Sequence, residues 1–484
     1  MKFHDIVSSV LFLALMFLLW AGIELLVWVI FVPLIVLALK GSFRGIIFFG
    51  SIVILLTGVY WLSWIMLYDV KTFLLALFSC YVFFMTFVLV TRLLNRTSCS
   101  VLIPPTVWFC AAKITSFTPA GSCWTDFAMF QPMMAPLIWF VGARGVTFLV
   151  VMVNTVIALL FVRKSKGLLI VGIVLLLGVI GCIAYSSLAE PEGKPLKVAA
   201  LQGNFSQPWE WRCAHAGTVI LDTYLNMTRQ AACEKPDIIL WPEYAIPEDV
   251  FLEEPLLRKI SAAVKDSQSY LVFGTLIWHK GTVDGMRKRN DVAAVVSSDG
   301  GKIDKYVSVL PLPYEKCTLP GNDLHVINTE KARLGILLCF EETISGIAGK
   351  LTLQGAELLV SLANNSRFEQ TRGIYFTSLQ TRLRAAENRK YLVRATNTGI
   401  TQVINPYGKI VAAAEPFGRT IVMAEIYLNN RKTFYSRYGD LLIPLFIGVI
   451  FLISAIQSSL LTMYMYRFQR ENEKNRKKSC NWCF

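Results

Sequence analysis

The chain divides into two parts according to the spacing of its apolar residues. Apolar runs dominate the first 190 residues or so, and one more run lies near the C-terminus. A helix that crosses a bilayer needs roughly 20 predominantly apolar residues. The pattern therefore predicts about eight membrane spans, of which the fifth is the weakest, at residues 6–20, 22–39, 45–66, 72–91, 100–118, 144–162, 167–187 and 441–465.

The basic residues beside these runs predict their orientation. With a cytoplasmic N-terminus, eight spans place on the cytoplasmic side the clusters Lys40/Arg44, Arg92/Arg96, Arg163/Lys164/Lys166 and the basic tail. This agrees with the tendency of Lys and Arg to remain inside. We therefore expect a transmembrane bundle of about seven spans (1–190), a domain that faces outward into the periplasm or its equivalent (191–440), a last span (441–465) and a cytoplasmic tail (466–484).

The polar insert shows short apolar runs that alternate with helical patterns. The runs DIILW, LGILLC and ELLVSL are apolar throughout and do not alternate with polar residues. Strands of this kind are covered on both faces. The insert is therefore expected to be an α/β sandwich.

Composition supports a membrane protein and argues against other classes. The chain is 55% hydrophobic and 17% charged, which is not typical of a soluble protein. Its net charge of +14 comes largely from residues that flank apolar runs, so it does not predict nucleic-acid binding. We find no phosphate-binding glycine loop, and the tail pair Cys480/Cys483 lacks two further ligands. Neither a cofactor nor a metal is expected.

Reactive residues follow several of the predicted strands. They are Gln202 and Asn204, Glu243, Cys339 with Glu341, Asn364 and Asn365, and Asn397. Ligands of open α/β sheets bind at the carboxyl ends of strands, so these residues are expected to line one crevice. A thiol beside a carboxylate predicts nucleophilic acyl transfer, and the membrane indicates a lipid substrate. Singly, such residues are also ordinary turn, cap or core residues.

Several longer stretches resemble one family. LQGNFSQPWEW, LWPEYAIPE, GILLCFEE, LLVSLANNSRF and FYSRYGD are similar to stretches of the apolipoprotein N-acyltransferases, the membrane-bound branch of the carbon–nitrogen hydrolase (nitrilase) superfamily. The resemblance extends over nearly the whole chain, including its membrane part. It implies a nitrilase-like αββα sandwich.

The resemblance also implies a Glu–Lys–Cys triad and ping-pong chemistry. Glu243 would be the general base, and Cys339 would accept a fatty acyl chain from a phospholipid as a thioester. The N-terminal amine of a diacylglyceryl apolipoprotein would then attack the thioester. Supporting or substrate-binding roles would fall to Glu315, Glu341, Trp211 and Asn364.

The family lysine has no obvious counterpart. Aligning Tyr306 with the family tyrosine places Ser308 where the lysine belongs, whereas alignment by charge selects Lys305 after a local shift of register. We favour Lys305, because the glutamate and the cysteine are both retained. Lys302 and Lys316 are weaker candidates. The sequence is also consistent with all of these lysines being ordinary solvated loop residues.

Two alternatives to the acyltransferase remain at this point. A membrane-anchored amidase would use the same triad on a small amide, and a catalytically impaired homologue would only bind lipid or lipoprotein. Arg367, where the family usually has tryptophan, is either a phosphate ligand or a surface residue. The expected partners are a phospholipid donor, an apolipoprotein acceptor and the membrane, and the chain is expected to act as a monomer.

Overall fold

The computed structural model describes residues 3–67, 69–94, 101–115, 123–205, 216–283, 285–313, 315–445 and 447–448. The last predicted span and the basic tail lie almost entirely outside these residues.

Apolar helices form the N-terminal part of the described chain. The α-helices are Phe3–Trp20, Val32–Lys40, Phe43–Gly45, Ser51–Leu62, Val70–Leu94, Ile103–Thr115, Ala135–Arg163 and Lys166–Leu188. A π-helix covers Ile46–Gly50, and short 3₁₀-helices cover Glu24–Trp28, Ser63–Leu67, Cys123–Thr125, Phe127–Phe130 and Pro132–Met134.

Among the described residues, four helical segments are able by length and composition to cross a membrane: Phe43–Leu67, Val70–Leu94, Pro132–Arg163 and Lys166–Leu188. The predicted span at 22–39 is not one helix, because the chain turns between Glu24–Trp28 and Val32–Lys40. The predicted fifth span contains a helix of 13 residues, Ile103–Thr115. Two prolines stand near its beginning, where helices tolerate them.

Aromatic rings fill the centre of the helical bundle. Trp108 is buried, and its ring centroid lies 4.7 Å from that of Phe31, 4.7 Å from that of Phe83 and 5.2 Å from that of Phe87. The ring of Phe127 lies 5.5 Å away. Clusters of this kind bury large apolar areas and fix how neighbouring helices pack.

In the C-terminal part, the residues that the structure describes include twelve strands, which form two sheets of six. They are β1 Lys194–Gln202, β2 Ile238–Leu240, β3 Tyr270–Val283, β4 Met286–Val296, β5 Ile303–Val307, β6 Ile327–Asn328, β7 Arg333–Leu338, β8 Leu358–Ala363, β9 Leu392–Thr396, β10 Gln402–Ile404, β11 Ile410–Ala413 and β12 Thr420–Leu428. Their orders are β12-β1-β2-β3-β4-β5 and β11-β10-β9-β8-β7-β6. The central pairs β1–β2–β3 and β7–β8–β9 are parallel, and the remaining neighbours are antiparallel.

The two sheets pack face to face and helices cover both outer faces. Val198 and Leu240 of one sheet share a buried cluster with Ile336 and Val360 of the other. The next residues along the strands, such as Ile239 and Leu359, face the opposite way into clusters with the helices. These helices are Ala216–Ala232, Glu254–Ser267, Ser345–Leu353 and Gly373–Asn388. The result is the predicted αββα sandwich.

Polar and aromatic contacts join the helical part to the sandwich. Arg382 pairs with Glu24 at 2.6 Å, and Arg372 donates to the carbonyl oxygen of Trp20 at 3.1 Å. Gly142, at φ 68°, kinks the helix Ala135–Arg163 where Tyr435 passes, and a Cβ there would lie 2.1 Å from the tyrosine ring. Glycine is therefore required at this position on both conformational and steric grounds.

Candidate active site

The backbone presents Cys339 at the end of β7. This strand stops at Leu338, and Cys339 begins the 3₁₀-helix Cys339–Thr343 with a left-handed φ of 47°. Such a conformation is uncommon for a residue with a Cβ and recurs at functional sites. Cys339 stands partly accessible at the carboxyl edge of its sheet.

Glu243 approaches the thiol from the other sheet. It follows β2, is only 3% exposed, and accepts a hydrogen bond from the Cys339 thiol. The backbone N–H of Asn364, just after β8, donates to Glu243 Oε2 at 2.8 Å. The ends of three strands therefore hold the carboxylate against the thiol.

Burial changes the acid–base properties of this pair. Burial and the nearby charge of Asp291 raise the pKa of Glu243 well above its usual range. Burial and the charge of Glu243 likewise raise the pKa of the Cys339 thiol. The thiol therefore keeps its proton at rest, and Glu243 is a stronger base than an exposed glutamate. The pair is arranged for proton transfer during attack by sulfur.

Glu341 is completely buried and holds the neighbouring backbone in place. Its Oε1 accepts from Tyr306 Oη at 2.9 Å, Ser308 Oγ at 3.0 Å, and the N–H groups of Val309 at 2.8 Å and Leu310 at 3.1 Å. Its Oε2 accepts from the N–H of Leu338, the residue before the cysteine, at 2.9 Å. This carboxylate ties the segment after β5 to the end of β7.

Glu315 lies between two arginines. Its Oε2 accepts from Arg289 Nη2 at 3.0 Å, and its Oε1 lies 3.2 Å from Arg367 Nη1. Asp291 Oδ1 lies 3.8 Å from Arg289 Nε and accepts from Tyr244 Oη at 2.8 Å. Burial and Glu315 raise the pKa of Asp291 to about 7.

These groups enclose one small cleft of about 40 Å³. A volume of this size holds a water molecule or two. Its lining includes Glu243, Tyr244, Arg289, Asp291, Ser308, Pro311, Leu312, Glu315, Cys339, Phe340, Asn364, Asn365, Arg367 and Phe368.

The structure does not bring Lys305 to this cleft. Its side chain is exposed, and its Nζ lies 4.9 Å from the ring centroid of Phe251. Side chains of a strand alternate between its two faces. Tyr306 and Ser308 face Glu341, so Lys305 faces the other way. The geometry therefore does not support the register shift that favoured Lys305, and Ser308 is the residue beside the site.

A buried ion pair supports the segment after β8. Arg394 Nε and Nη2 donate to Glu342 at 2.8 and 2.7 Å, and Nη2 also donates to Asn365 Oδ1 at 2.8 Å. Asn365 has a left-handed φ of 61°. The pair therefore fixes the segment whose preceding residue, Asn364, binds Glu243.

Other predicted strand-end residues serve the structure around the site. Gln202 donates to the carbonyl oxygens of Glu415 at 2.7 Å and Gly418 at 2.9 Å, and Asn204 donates to that of Phe417 at 2.6 Å. Asn397 donates to Asn364 Oδ1 at 3.1 Å and so contacts the site through a neighbour.

Trp211 and Cys213 lie outside the described residues. Cys233 and Cys317 are free thiols.

Arg289, Asp291 and Tyr244 are parts of the cleft that sequence reasoning missed. The signal for the first two is visible in RNDVAAVV, where charges two apart lie on one face of a strand that becomes fully buried. Buried charges are rare and are often functional.

Comparison with known proteins relates this chain to one family. Residues 197–434 match the carbon-nitrogen hydrolase family. The chain is 29% identical to the apolipoprotein N-acyltransferase of Geobacter metallireducens over 467 residues, which is 87% of this chain and 88% of that protein. It is 25% identical to the apolipoprotein N-acyltransferase of Wigglesworthia glossinidia brevipalpis, covering 72% of this chain and 74% of that one.

Two solved structures are similar to part of this chain. The carbon-nitrogen hydrolase of Helicobacter pylori G27 is 19% identical, with a TM-score of 0.40 over 48% of this chain and 89% of that one. Nit3 of Saccharomyces cerevisiae is 20% identical, with a TM-score of 0.41 over 49% of this chain and 93% of that one.

Proposed function

Because this chain belongs to the apolipoprotein N-acyltransferase family, the membrane-bound branch of the carbon-nitrogen hydrolases, we propose that it acylates apolipoproteins through a thioester on Cys339. The fatty acyl chain comes from a phospholipid and ends on the α-amine of the N-terminal diacylglyceryl-cysteine. The observation that carries the chemistry is the hydrogen bond between the Cys339 thiol and the buried Glu243. Nucleophilic acyl transfer needs this juxtaposition of nucleophile and base.

In the first half-reaction, Glu243 takes the thiol proton as Cys339 Sγ attacks the ester carbonyl carbon of the phospholipid. The carbonyl oxygen becomes an oxyanion. When the tetrahedral intermediate collapses, the C–O ester bond breaks, and the leaving alkoxide of the lysophospholipid takes the proton back from Glu243. The acyl chain remains on sulfur as a thioester.

In the second half-reaction, the acceptor amine attacks the thioester carbonyl carbon. Glu243 accepts a proton from the attacking nitrogen, the C–S bond breaks, and an amide forms. The departing sulfur takes the proton from Glu243 and becomes the thiol again. One glutamate therefore acts as base and acid in both halves.

Supporting roles follow from the contacts of the other residues. We assign to Asn364 the orientation of Glu243 through its backbone N–H, and to Glu341 the positioning of the segment after β5. Glu315 holds the two arginines of the cleft. Trp211 is assigned to substrate contact on the family resemblance alone.

The membrane arrangement is also part of this proposal. Four helical segments of the described residues are able to cross a bilayer, which supports an inner-membrane protein, and the charge pattern favours about eight spans in all. The catalytic domain of residues 191–440 then faces the periplasm. A monomer meets both substrates there, since phospholipid and apolipoprotein are both held in the membrane.

Trapping of the thioester tests this function directly. Purified protein is incubated with phospholipid that carries a labelled acyl chain, and then with a diacylglyceryl peptide. We expect label on Cys339 first and on the peptide amine afterwards. Cys339→Ala should abolish both, whereas Cys233→Ala, which removes an exposed cysteine of the same domain, should retain both.

The two rival functions give different results in the same assay. An amidase would release label to water or ignore the phospholipid, and an inactive homologue would carry no label on Cys339. Either result from a folded parent protein contradicts the proposal.

A further inference from the structure

Acyl transfer requires stabilisation of an oxyanion, which the pair Cys339–Glu243 does not provide. The tetrahedral intermediate places a full negative charge on the former carbonyl oxygen, and enzymes stabilise that charge with preorganised donors or cations. The cleft already contains the carboxyl groups of Glu243, Asp291 and Glu315. A further negative charge there requires a positive charge close by.

Within the described part of the chain, two basic side chains line the cleft, Arg289 and Arg367. Both pair with Glu315, one on each carboxylate oxygen. They differ in their setting. Arg289 belongs to β4 and is 5% exposed, whereas the side chain of Arg367 is 35% exposed on the short 3₁₀-helix Ser366–Phe368. Arg289 is therefore the inner, more rigidly held charge.

The neighbours of Arg289 hold both its backbone and its guanidinium in place. Its backbone N–H donates to the carbonyl oxygen of Cys317 at 3.0 Å, and its guanidinium carbon lies 5.6 Å from the centre of the Tyr244 ring. Glu315 and Asp291 flank the guanidinium. Desolvation makes such a charge costly, and a buried ion pair contributes little net stability. A buried arginine beside a nucleophile therefore points to a role in the reaction.

We propose that Arg289 is the cation that stabilises the oxyanion during formation and breakdown of the Cys339 thioester. It keeps its proton throughout and moves none, because a guanidinium is not deprotonated in proteins. It acts through N–H donors directed at the oxygen that becomes negative. Ser308, which faces the site, is neutral and donates to Glu341, and Lys305 points away. This inference rests on the acyltransfer proposed above.

Single-turnover thioester formation with labelled phospholipid tests the proposal. Loss of one oxyanion donor typically lowers turnover about 10²–10³-fold. We expect that loss for Arg289→Gln, with little change in the phospholipid concentration that gives half the maximal rate. Arg287→Gln is the matched control, since it removes an exposed arginine from the same strand, and its rate should stay within about twofold.

Arg367→Gln is the competing variant. A loss larger than that of Arg289→Gln would assign the oxyanion to the outer arginine and overturn the proposal. A smaller loss supports it.

A positive charge introduced on the segment after β5 distinguishes an electrostatic role of Arg289 from a structural one. Ser308→Lys, introduced into Arg289→Gln, places an ammonium on the face of the site and should recover at least tenfold of the lost rate. A purely structural arginine would not be replaced in this way.

Arg289→Gln is open to the objection that it unfolds more readily than the parent. In that case the rate of thioester formation is measured instead for Arg289→Lys and for the double variant, once both are shown to be folded. A rate within tenfold of the parent in either supports the proposal, and rates below one hundredth in both overturn it.

The two proposals fail in distinguishable ways. A parent protein that never labels Cys339 contradicts the acyltransfer itself. A parent that labels Cys339, together with a folded Arg289→Gln that labels it equally fast, contradicts the role of Arg289 alone.

Discussion

The strained backbone at Cys339 and the buried carboxyl of Glu243 together define the chemistry at the scale of single residues. A left-handed φ of 47° points the thiol toward a glutamate from the other sheet. Neither residue is activated alone, because burial favours the neutral form of each. The pair works because the thiol donates its hydrogen bond directly to the carboxyl group that takes its proton.

Thioester formation should depend on pH through Glu243, which must be ionised to act as base. Burial and Asp291 raise its pKa, so the proton is held to higher pH than on an exposed glutamate, and the rate should rise with pH along a limb that lies above 4.5. Single-turnover rates without acceptor amine measure this limb. Asp291→Asn removes a repelling charge and should move it to lower pH. A limb at 4.5 or below in the parent would be inconsistent with this description.

Lys305→Ala should leave thioester formation within about twofold of the parent rate. Its ammonium lies over Phe251 on the face of β5 away from the cleft, and exposed contacts of this kind contribute little. The measurement is the same labelled-phospholipid assay, with Lys302→Ala as the matched surface control. A loss of a hundredfold would restore Lys305 to the site and require a different path for the segment Ile303–Val307.

The outcome for Lys305 shows what a sequence leaves open at this scale. Residue type and order predicted that Glu243 and Cys339 meet, since both follow apolar strand cores. The face on which Lys305 lies depends on pairing with β4, where Lys305 is opposite Ala294. A shift by one residue reverses every side chain of a strand, so charge alone was a poor guide. Arg289 was missed because its partner Glu315 follows it by 26 residues.

At the scale of elements, the segment after β5 owes its position to one carboxylate. Glu341 accepts from two side chains and three backbone N–H groups that surround it. A buried donor that loses its acceptor costs about 1–3 kcal/mol. The cleft wall formed by Pro311 and Leu312 follows directly on this anchored segment.

Glu341→Ala should therefore lower the melting temperature clearly and reduce activity as well. Glu341→Gln retains one acceptor oxygen and should lose less. Thermal unfolding of the detergent-solubilised protein measures both, with the exposed Glu330→Ala as control. Equal melting temperatures for the parent and Glu341→Ala would show that the segment is held by other contacts.

Elements were predictable where the apolar pattern has a single explanation. The cores of β2, β7 and β8 were recognised because only doubly covered strands are apolar throughout. The segment at 22–39 was predicted as one span because hydropathy reports how apolar a segment is and does not report where its backbone turns. The structure turns it between Trp28 and Val32, where tertiary packing against the bundle decides the conformation.

At the scale of the whole molecule, the helical part and the sandwich act as one unit. The contacts of Arg382 with Glu24 and of Arg372 with Trp20 join them. The orientation of this unit in the membrane determines which substrates reach Cys339. In the orientation proposed above, the catalytic domain meets lipoproteins after their export.

Labelling of single cysteines tests that orientation. In a full-length chain whose only cysteine is the exposed Cys233, a membrane-impermeant maleimide should react in intact spheroplasts. A chain whose only cysteine is Cys480, in the predicted cytoplasmic tail, should react only after lysis. The reverse pattern would place the catalytic domain in the cytoplasm.

The ring of Trp64 carries a consequence for how the protein is handled. Trp64 belongs to the 3₁₀-helix Ser63–Leu67, with which the helical segment Phe43–Leu67 ends, and lies edge-on to Phe368 of the cleft wall, with centroids 5.1 Å apart. The depth and tilt of that segment depend on bilayer thickness. A change of lipid composition that moves this segment therefore also moves Phe368, beside the sulfur. A detergent micelle has no fixed thickness and does not impose a position on the segment.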